Sequence, residues 1–392
     1  MPVLVDVKVE NSGKEEHNMK RVNNLWDKII DIENIKLAHK KAREDKTYYR
    51  EVKMVDSNPD FYLGQIQQLL KNKEYKVSDY TIQVINDKGK ERTLMKLQYF
   101  PDRIIQWAIM LQLEPIFLNT FCFHTCASIP NRGIHRVYDL MRTYLLDERG
   151  TKYCLQLDIR KFYDSLDHKI LKQLLRKKIK DTDLLWLLDT IIDSYPGDKG
   201  VPIGSYLSQY LANYYLCYFD HYLKEQLGIK YTIRYMDDIV IFADSKEKLF
   251  YWLNEIKKYL STIKLQLKGN YQIFPVNIRG INFIGYRYFR NFTLLSKKTL
   301  KRFKKLCAIV YEKQNNHQMI SFKQWCGVNS YIGWLIWCDS YRLCQKYLMP
   351  IKDSILRYYW YNIANKKKDT KIKSFNDYKR KMYKNLNWKF CY

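Results

Sequence analysis

The sequence predicts an α+β protein, because segments with strand periodicity lie between segments with helix periodicity. TIQVIND and RTLMKLQY alternate between apolar and polar residues around a turn-like Asp-Lys-Gly, which predicts a β-hairpin. KYCLQLD and YTIRYMDDIVIFAD are rich in β-branched and aromatic residues. Apolar residues recur at helical spacing in the segments between these strands.

Composition excludes a mostly disordered chain and favours a polyanionic partner. Of 392 residues, 46% are apolar and 15% aromatic, enough for a packed core. Lys and Arg number 68 against 41 Asp and Glu, a formal charge of +27, which suits binding to phosphates. An ordinary solvated basic surface or a membrane surface would also satisfy this charge. No run of 18 apolar residues and no signal-peptide layout occurs in the sequence, so we expect a cytoplasmic protein that binds no membrane.

The first 118 residues predict a helical extension, the hairpin and a further helix. Apolar residues at helical spacing, among them Leu25, Trp26 and Ile29, predict helices before residue 75. After the hairpin, an amphipathic helix is expected over 101–118, opening at Pro101.

The centre of the chain predicts two strand segments that carry acidic residues. In KYCLQLD, alternation places Asp158 on the strand face opposite Leu157. A helix is expected after this strand, and another from about 206 to 227, ending at Gly228. YTIRYMDDIVIFAD predicts two strands that meet in a hairpin at Met236-Asp237-Asp238.

Three carboxylates, Asp158, Asp237 and Asp238, are expected to lie together. Clustered carboxylates repel one another unless cations neutralise them, and their hard oxygen ligands suit Mg²⁺, with Mn²⁺ as the alternative. Two such ions about 4 Å apart stabilise the attacking and leaving oxygens of a phosphoryl transfer. The other interpretation is a polar turn, which would be preferred for an isolated Asp-Asp pair.

Six motifs in order resemble those of reverse transcriptases of the group II intron-like branch. They cover roughly residues 80–350 and are RTLMKLQYFPDRIIQWAI, CASIPNRGIH, LQLDIRKFYDSLDH, VPIGSYLSQYLANYYL, YMDD with FIGYR, and GWLIWCDSYRL. The IGxxxSQ pattern is most similar to reverse transcriptases of diversity-generating retroelements, and antiphage-defence reverse transcriptases share much of it.

This resemblance implies a right-hand polymerase architecture, with fingers and palm built from an antiparallel sheet plus helices, and a helical thumb. The predicted divisions are an N-terminal helical extension, fingers, palm, thumb and a basic C-terminal tail, at 1–75, 76–150, 151–290, 291–350 and 351–392.

The resemblance also implies roles for residues around the acidic cluster. Asp158 and Asp237 would be shared metal ligands, with Asp238 as a third carboxylate and the Ile159 carbonyl as a further ligand. Tyr163 would exclude a ribose 2′-hydroxyl, although Phe162 and Tyr163 could both be core aromatics. The other predicted dNTP-binding residues are Arg92, Arg103 and Gln209. Predicted template or primer contacts are Asn213, Gly285, Tyr286, Lys297, Lys301 and Arg302. For the basic residues a solvated surface is the alternative.

The implied function is RNA-directed DNA synthesis from a 3′-hydroxyl by two-metal-ion catalysis, within a prokaryotic retroelement. Ile203 stands where many relatives have Gln, which suggests error-prone synthesis. The expected partners are an RNA template, a DNA product, a cognate structured RNA, and an accessory protein or a second copy of the chain. Two alternatives remain: a defence enzyme that makes repetitive, protein-primed or untemplated DNA with a cognate noncoding RNA, and an RNA-binding protein with an inactive polymerase fold.

Overall fold

The computed structural model describes residues 21–87 and 90–364, and the chain forms two compact units. Unit 1 comprises the chain up to Thr120 together with Lys161–Leu216, and unit 2 comprises Phe121–Arg160 and the chain from Cys217 onward. Helices and sheets occur in both, so the predicted α+β class is confirmed. The hairpin turn at Lys88-Gly89 and most of the predicted basic tail lie outside the described residues.

Unit 1 contains a helical layer and one two-stranded hairpin. Its helices are α1 (Trp26–Ile30), α2 (Ile32–Ala42), α3 (Arg50–Ser57), α4 (Pro59–Lys71), α5 (Ile104–Thr120), α7 (His168–Lys178), α8 (Thr182–Asp193) and α9 (Tyr206–Tyr215). The antiparallel hairpin pairs β1 (Thr81–Asp87) with β2 (Lys90–Lys96) in a register that sets Thr81 opposite Lys96. This is the hairpin that the alternating pattern predicts.

The helix predicted over 101–118 is α5, but it is not amphipathic. It begins at Ile104 after the kinked segment Tyr99–Arg103, in which Phe100 is extended (φ −108°, ψ 130°). Buried residues lie all around it, because α1, α2 and α9 all pack on α5. Such a helix is apolar on every side, and its sequence therefore shows no amphipathic period.

Unit 2 is built on a five-stranded sheet with the order β3-β5-β6-β4-β7. Its strands are β3 (Thr125–Cys126), β4 (Tyr153–Asp158), β5 (Tyr231–Tyr235), β6 (Asp238–Ala243) and β7 (Gln272–Pro275). The helices α6 (Ile134–Leu145), α10 (Cys217–His221) and α11 (Lys246–Thr262) belong to the same unit. In β4, Leu155 and Leu157 on one face and Cys154 on the other are buried. Because both faces of this central strand are covered, its terminal carboxylate is held on a rigid element.

A second, three-stranded sheet follows in unit 2, with the order β10-β9-β8. It is formed by β8 (Ile281–Phe283), β9 (Tyr286–Tyr288) and β10 (Thr293–Leu295), preceded by α12 (Val276–Arg279). The chain continues through α13 (Lys297–Asn315), α14 (Phe322–Leu335), α15 (Tyr341–Leu343) and α16 (Lys352–Tyr359). One apolar cluster joins side chains of both sheets to those of α6, α13 and α14.

Two expectations about the elements are wrong in detail. The single helix predicted over 206–227 is interrupted at Leu216, whose ψ of 4° departs from helical geometry, and continues as α10 and a π-helical turn. The sequence also predicts helical segments from Gly285 to about residue 362, but the short strands β9 and β10 precede the helices. Strands of three residues are too short for alternation to reveal them. Among the described residues, no helix combines the length and the apolar character needed to cross a membrane.

Candidate active site

The candidate site begins with a tight hairpin between β5 and β6. Tyr235 pairs with Asp238, so only Met236 and Asp237 form the connecting turn. Met236 has a φ of +56°, and two-residue hairpin turns need such a left-handed residue to match the twist of the strands. The predicted hairpin with acidic residues at its end is therefore present.

Asp158 lies directly opposite this hairpin, at the end of β4. In the antiparallel register Asp158 pairs with Asp238, so the two side chains lie on the same face of the sheet. The Ile159 amide donates to the Asp237 carbonyl at 3.2 Å. Three carboxylates on two strands and one turn are thus fixed next to each other by backbone pairing.

Lys268 completes the group from the segment before β7. An isolated bridge pairs Ile159 with Leu267, and the Lys268 amide donates to the Asp158 carbonyl at 2.8 Å. The Lys268 ammonium forms an ion pair with Asp158 Oδ2. Spacing within a motif does not single out this lysine, because its position depends on the bridge between Ile159 and Leu267.

Asp238 occupies an environment that disfavours its charge. Burial, followed by the negative charges of Asp237 and Asp158, raises the pKa of Asp238 to about 7, and Lys268 partly opposes this. Loss of hydration on burial and repulsion by neighbouring carboxylates both raise the pKa of a carboxyl group. The three carboxylates therefore bring more negative charge to the site than Lys268 alone neutralises.

The residues present fit divalent metal ions in charge and in ligand type. Asp158 Oδ1 is buried without a hydrogen-bond partner, and an orphaned buried carboxylate oxygen is costly unless a cation meets it. Within the described ranges, however, no group of three or more His, Cys, Asp or Glu side chains is already arranged to hold a metal ion. Lys268 contacts the other oxygen of Asp158 in this conformation.

Comparison with known proteins identifies the family. A profile of the family described as reverse transcriptase (RNA-dependent DNA polymerase) matches residues 75–288. That stretch exceeds half of the chain and contains all three carboxylates. This chain belongs to the reverse transcriptase family.

Curated relatives agree with the predicted group II intron-like branch. Protein YkfC of Escherichia coli K12 is 27% identical over 209 residues, covering 50% of this chain and 49% of the relative. The group II intron-encoded protein LtrA of Lactococcus lactis subsp. cremoris is 27% identical over 151 residues, 36% of this chain and 24% of LtrA. The chain thus spans at most about half the length of these two relatives. Assignment to diversity-generating retroelements stays a prediction.

Similar solved structures include telomerases. Apo telomerase from Candida tropicalis aligns with a TM-score of 0.48 at 12% identity, covering 74% of this chain and 58% of that chain. Family membership and the α+β architecture together agree with the right-hand polymerase fold. The boundaries of fingers, palm and thumb stay predictions.

Tyr163 is one of the predicted nucleotide contacts in unit 1, and its side chain is partly exposed. Phe162 is 3% exposed and is a core aromatic, whereas Tyr163 is only partly buried, with ring centroids 5.7 Å apart. The Val201 amide donates to the Tyr163 carbonyl at 3.1 Å. Arg103 is half-buried at the end of the kinked segment Tyr99–Arg103, and Arg92 lies on β2, its side chain outside the described set.

Two residues predicted to contact template or primer, Asn213 and Tyr286, are buried in this structure. Gln209 is half-buried, but Asn213 is fully buried at 0% exposure. Tyr286 is 1% exposed, and its hydroxyl donates to the Trp334 carbonyl at 3.0 Å, so it is a core residue. The strand β9 buries one face, and the Tyr286 ring lies on that face.

The remaining predicted contacts lie at a turn and on a helix surface. Gly285 has a φ of +83° between β8 and β9, as expected of a turn glycine. Lys297 and Lys301 are exposed on α13, and Arg302 is half-buried. These positions leave the predicted basic helix face accessible.

Proposed function

We propose that this reverse transcriptase is an RNA-directed DNA polymerase whose chemistry occurs at Asp158, Asp237 and Asp238. The observation that carries the proposal is the antiparallel pairing of Asp158 with Asp238 beside the two-residue turn that contains Asp237. No structural requirement of the sheet explains three adjacent carboxylates, one with a raised pKa. Perturbed acidic groups of this kind are typical of catalytic sites.

The carboxylates would hold two Mg²⁺ ions, with Mn²⁺ as the alternative. When bound, such ions supply Lewis-acid stabilisation to the attacking 3′-oxygen and to the leaving pyrophosphate. Asp158 and Asp237 would be the shared ligands, with Asp238 as a third carboxylate and the Ile159 carbonyl as a further ligand. Lys268 would orient Asp158 through its ion pair.

Tyr163 would select deoxynucleotides by excluding a 2′-hydroxyl with its ring. Its partly exposed position, next to a core Phe162, supports this role. Arg92, Arg103 and Gln209 would bind the incoming dNTP, and the exposed lysines of α13 would contact the phosphates of template and primer. The apolar Ile203 supports low fidelity, since it cannot make the polar contact of a glutamine.

A prokaryotic retroelement is the proposed setting. Support comes from LtrA, which is a group II intron-encoded protein. A cognate structured RNA is the corresponding proposed partner, and the formal charge of +27 suits it.

The experiment is extension of a primed RNA template by the purified protein with Mg²⁺ and dNTPs. The double variant D237A/D238A is the inactive control, and D244N is the matched active control, because Asp244 is an exposed carboxylate paired with Lys248 in the same unit. We expect wild type and D244N to extend the primer, D237A/D238A to fail, and sequencing to reveal frequent errors. If RNA from the native host bound tightly and the wild type still added no nucleotide, the inactive RNA-binding alternative would replace the proposal.

A further inference from the structure

A fully buried ion pair lies directly behind the catalytic hairpin of unit 2. Arg234 on β5 and Asp220 on α10 both have side chains at 0% exposure. Arg234 Nε donates to Asp220 Oδ1 at 2.7 Å, and Nη2 donates to Oδ2 at 2.6 Å. The Thr125 hydroxyl also donates to Asp220 Oδ2, at 2.6 Å. The carboxylate is therefore held by three donors.

The third nitrogen of Arg234 reaches the turn that contains Asp237. Nη1 donates to the Met236 carbonyl at 3.1 Å. Met236 has a φ of +56° and is 8% exposed, and a left-handed conformation is unfavourable for a side chain with a Cβ. Such a conformation persists when contacts with the surrounding structure hold it in place. The hydrogen bond from Arg234 to the Met236 carbonyl is one of these contacts.

Stability alone is a poor explanation for this pair. Replacing a buried ion pair by apolar residues is often neutral or stabilising, because removing two charges from water is costly. In this pair the guanidinium has a fixed orientation. Its Nε and Nη2 donate to Asp220, and its Nη1 donates to the backbone of the turn. A planar group with several donors in fixed directions is suited to positioning.

We propose that Arg234, held by Asp220 and Thr125, is a positioning residue that sets the Met236-Asp237 turn in its catalytic conformation. Thr125 lies on β3, where it pairs with Arg234 in parallel register, so the network extends from the edge strand to the catalytic turn. This inference rests on the proposed function, since it assumes that Asp237 and Asp238 act in catalysis. In this role Arg234 does not contact the substrate.

The test compares R234K, T125V and T125S with wild type. A lysine retains the positive charge but cannot hold both Asp220 oxygens and the Met236 carbonyl in the geometry of a guanidinium. T125V removes one donor to Asp220, and T125S keeps the hydroxyl. L253A is the stability control, because Leu253 is a 2% exposed core residue of α11 that lies outside the hydrogen-bonded network of Arg234, Asp220 and Thr125.

The readouts are the single-turnover rate per active enzyme, the dNTP concentration at half-maximal rate, and the melting temperature. We expect R234K to lower the rate about tenfold to hundredfold, as small misplacements of catalytic groups do. The half-maximal dNTP concentration should change by less than about threefold, since only transition-state interactions are affected. T125V should show a smaller loss of rate, and T125S should restore it. L253A should lower the melting temperature while keeping the wild-type rate per active enzyme.

Two results would overturn the inference. One is R234K at the wild-type rate with a lowered melting temperature, the behaviour expected of L253A. The other, decisive if R234K does not fold, is T125V at the same rate as T125S. An inactive wild type would contradict the proposed function and the inference together, so the two failures are distinguishable.

Discussion

Asp238 is the residue whose environment departs most clearly from that of an ordinary surface carboxylate. It is partly buried, lies opposite Asp158 and follows Asp237, and its pKa is raised to about 7. A carboxyl with a raised pKa favours folding when it is protonated. The resulting stabilisation is complete below the unfolded pKa of about 4 and is lost as the pH rises through about 7.

Metal-free protein should therefore become less stable between pH 5 and pH 8 because of Asp238. Relative to D238N, the unfolding free energy of wild type should fall by on the order of 1 to 2 kcal/mol over this range, after allowance for partial exposure. Chemical denaturation in EDTA at several pH values measures this difference. D244N is the control and should follow the wild-type curve. Parallel curves for wild type and D238N would contradict the assigned environment.

At the residue scale, the sequence predicted the carboxylates but not the groups that hold them. Strand alternation and a hairpin pattern suffice to bring Asp158, Asp237 and Asp238 together. Lys268 and Arg234 act through partners that are distant in the chain, and no local period encodes such contacts. Asn213 and Tyr286 were expected at the nucleic acid from their motifs, but burial depends on tertiary packing.

The turn between β8 and β9 is an element that depends on a glycine. An added Cβ at Gly285 would lie 2.3 Å from the Trp334 ring, and φ is +83°. G285A should destabilise the protein by about 1 to 3 kcal/mol through backbone strain and the clash. Gly333, on α14 beside Trp334, has open space around it. G333A should be neutral or stabilising by up to about 1 kcal/mol, because alanine favours helix.

Thermal unfolding of G285A and G333A compares these two changes directly. Equal melting temperatures for both variants would mean that the turn accommodates a side chain. A loss of primer extension by G285A at temperatures where it remains folded would connect the turn with the nucleic acid.

Helix α13 separates a basic face from an apolar one. Phe303, Cys307 and Val310 are buried, whereas Lys298, Lys301 and Lys305 are exposed. If these lysines neutralise phosphates, replacing all three with glutamine should reduce the slope of log affinity against log salt by about 2 to 3. Fluorescence anisotropy with an RNA–DNA duplex at several salt concentrations measures the slope.

The control for α13 is a triple variant of equal charge change in unit 1. Lys169, Lys177 and Lys180 are exposed there, and K169Q/K177Q/K180Q should alter the slope less. Equal reductions in both triple variants would indicate a general effect of net charge and would contradict a specific role for α13.

The sequence predicted long strands and hairpins more successfully than short strands. The β1–β2 hairpin and the β5–β6 hairpin alternate over enough residues to be recognised. The amphipathic character expected of α5 was wrong because the helix is buried on every side. The three-residue strands β8, β9 and β10 were missed, since their pairing is a tertiary property.

At the scale of the whole molecule, composition and motif order predicted the class and the family. The charge of +27 indicated a polyanionic partner, and the ordered motifs indicated the family that the comparison then confirmed. Two compact units, with the three carboxylates all in unit 2, were not encoded in any pattern along the chain. The chain passes from one unit to the other three times, after Thr120, Arg160 and Leu216.

The central claim is that Asp158, Asp237 and Asp238 form the metal centre of a polymerase, and Mn²⁺ binding tests it most directly. Electron paramagnetic resonance counts Mn²⁺ bound by the protein with primed RNA template and a non-hydrolysable dNTP. We expect about two ions per wild-type and D244N molecule, and fewer for D158N and D237N, each of which loses a shared ligand. Undiminished binding of two ions by both D158N and D237N would place the metal elsewhere and contradict the account.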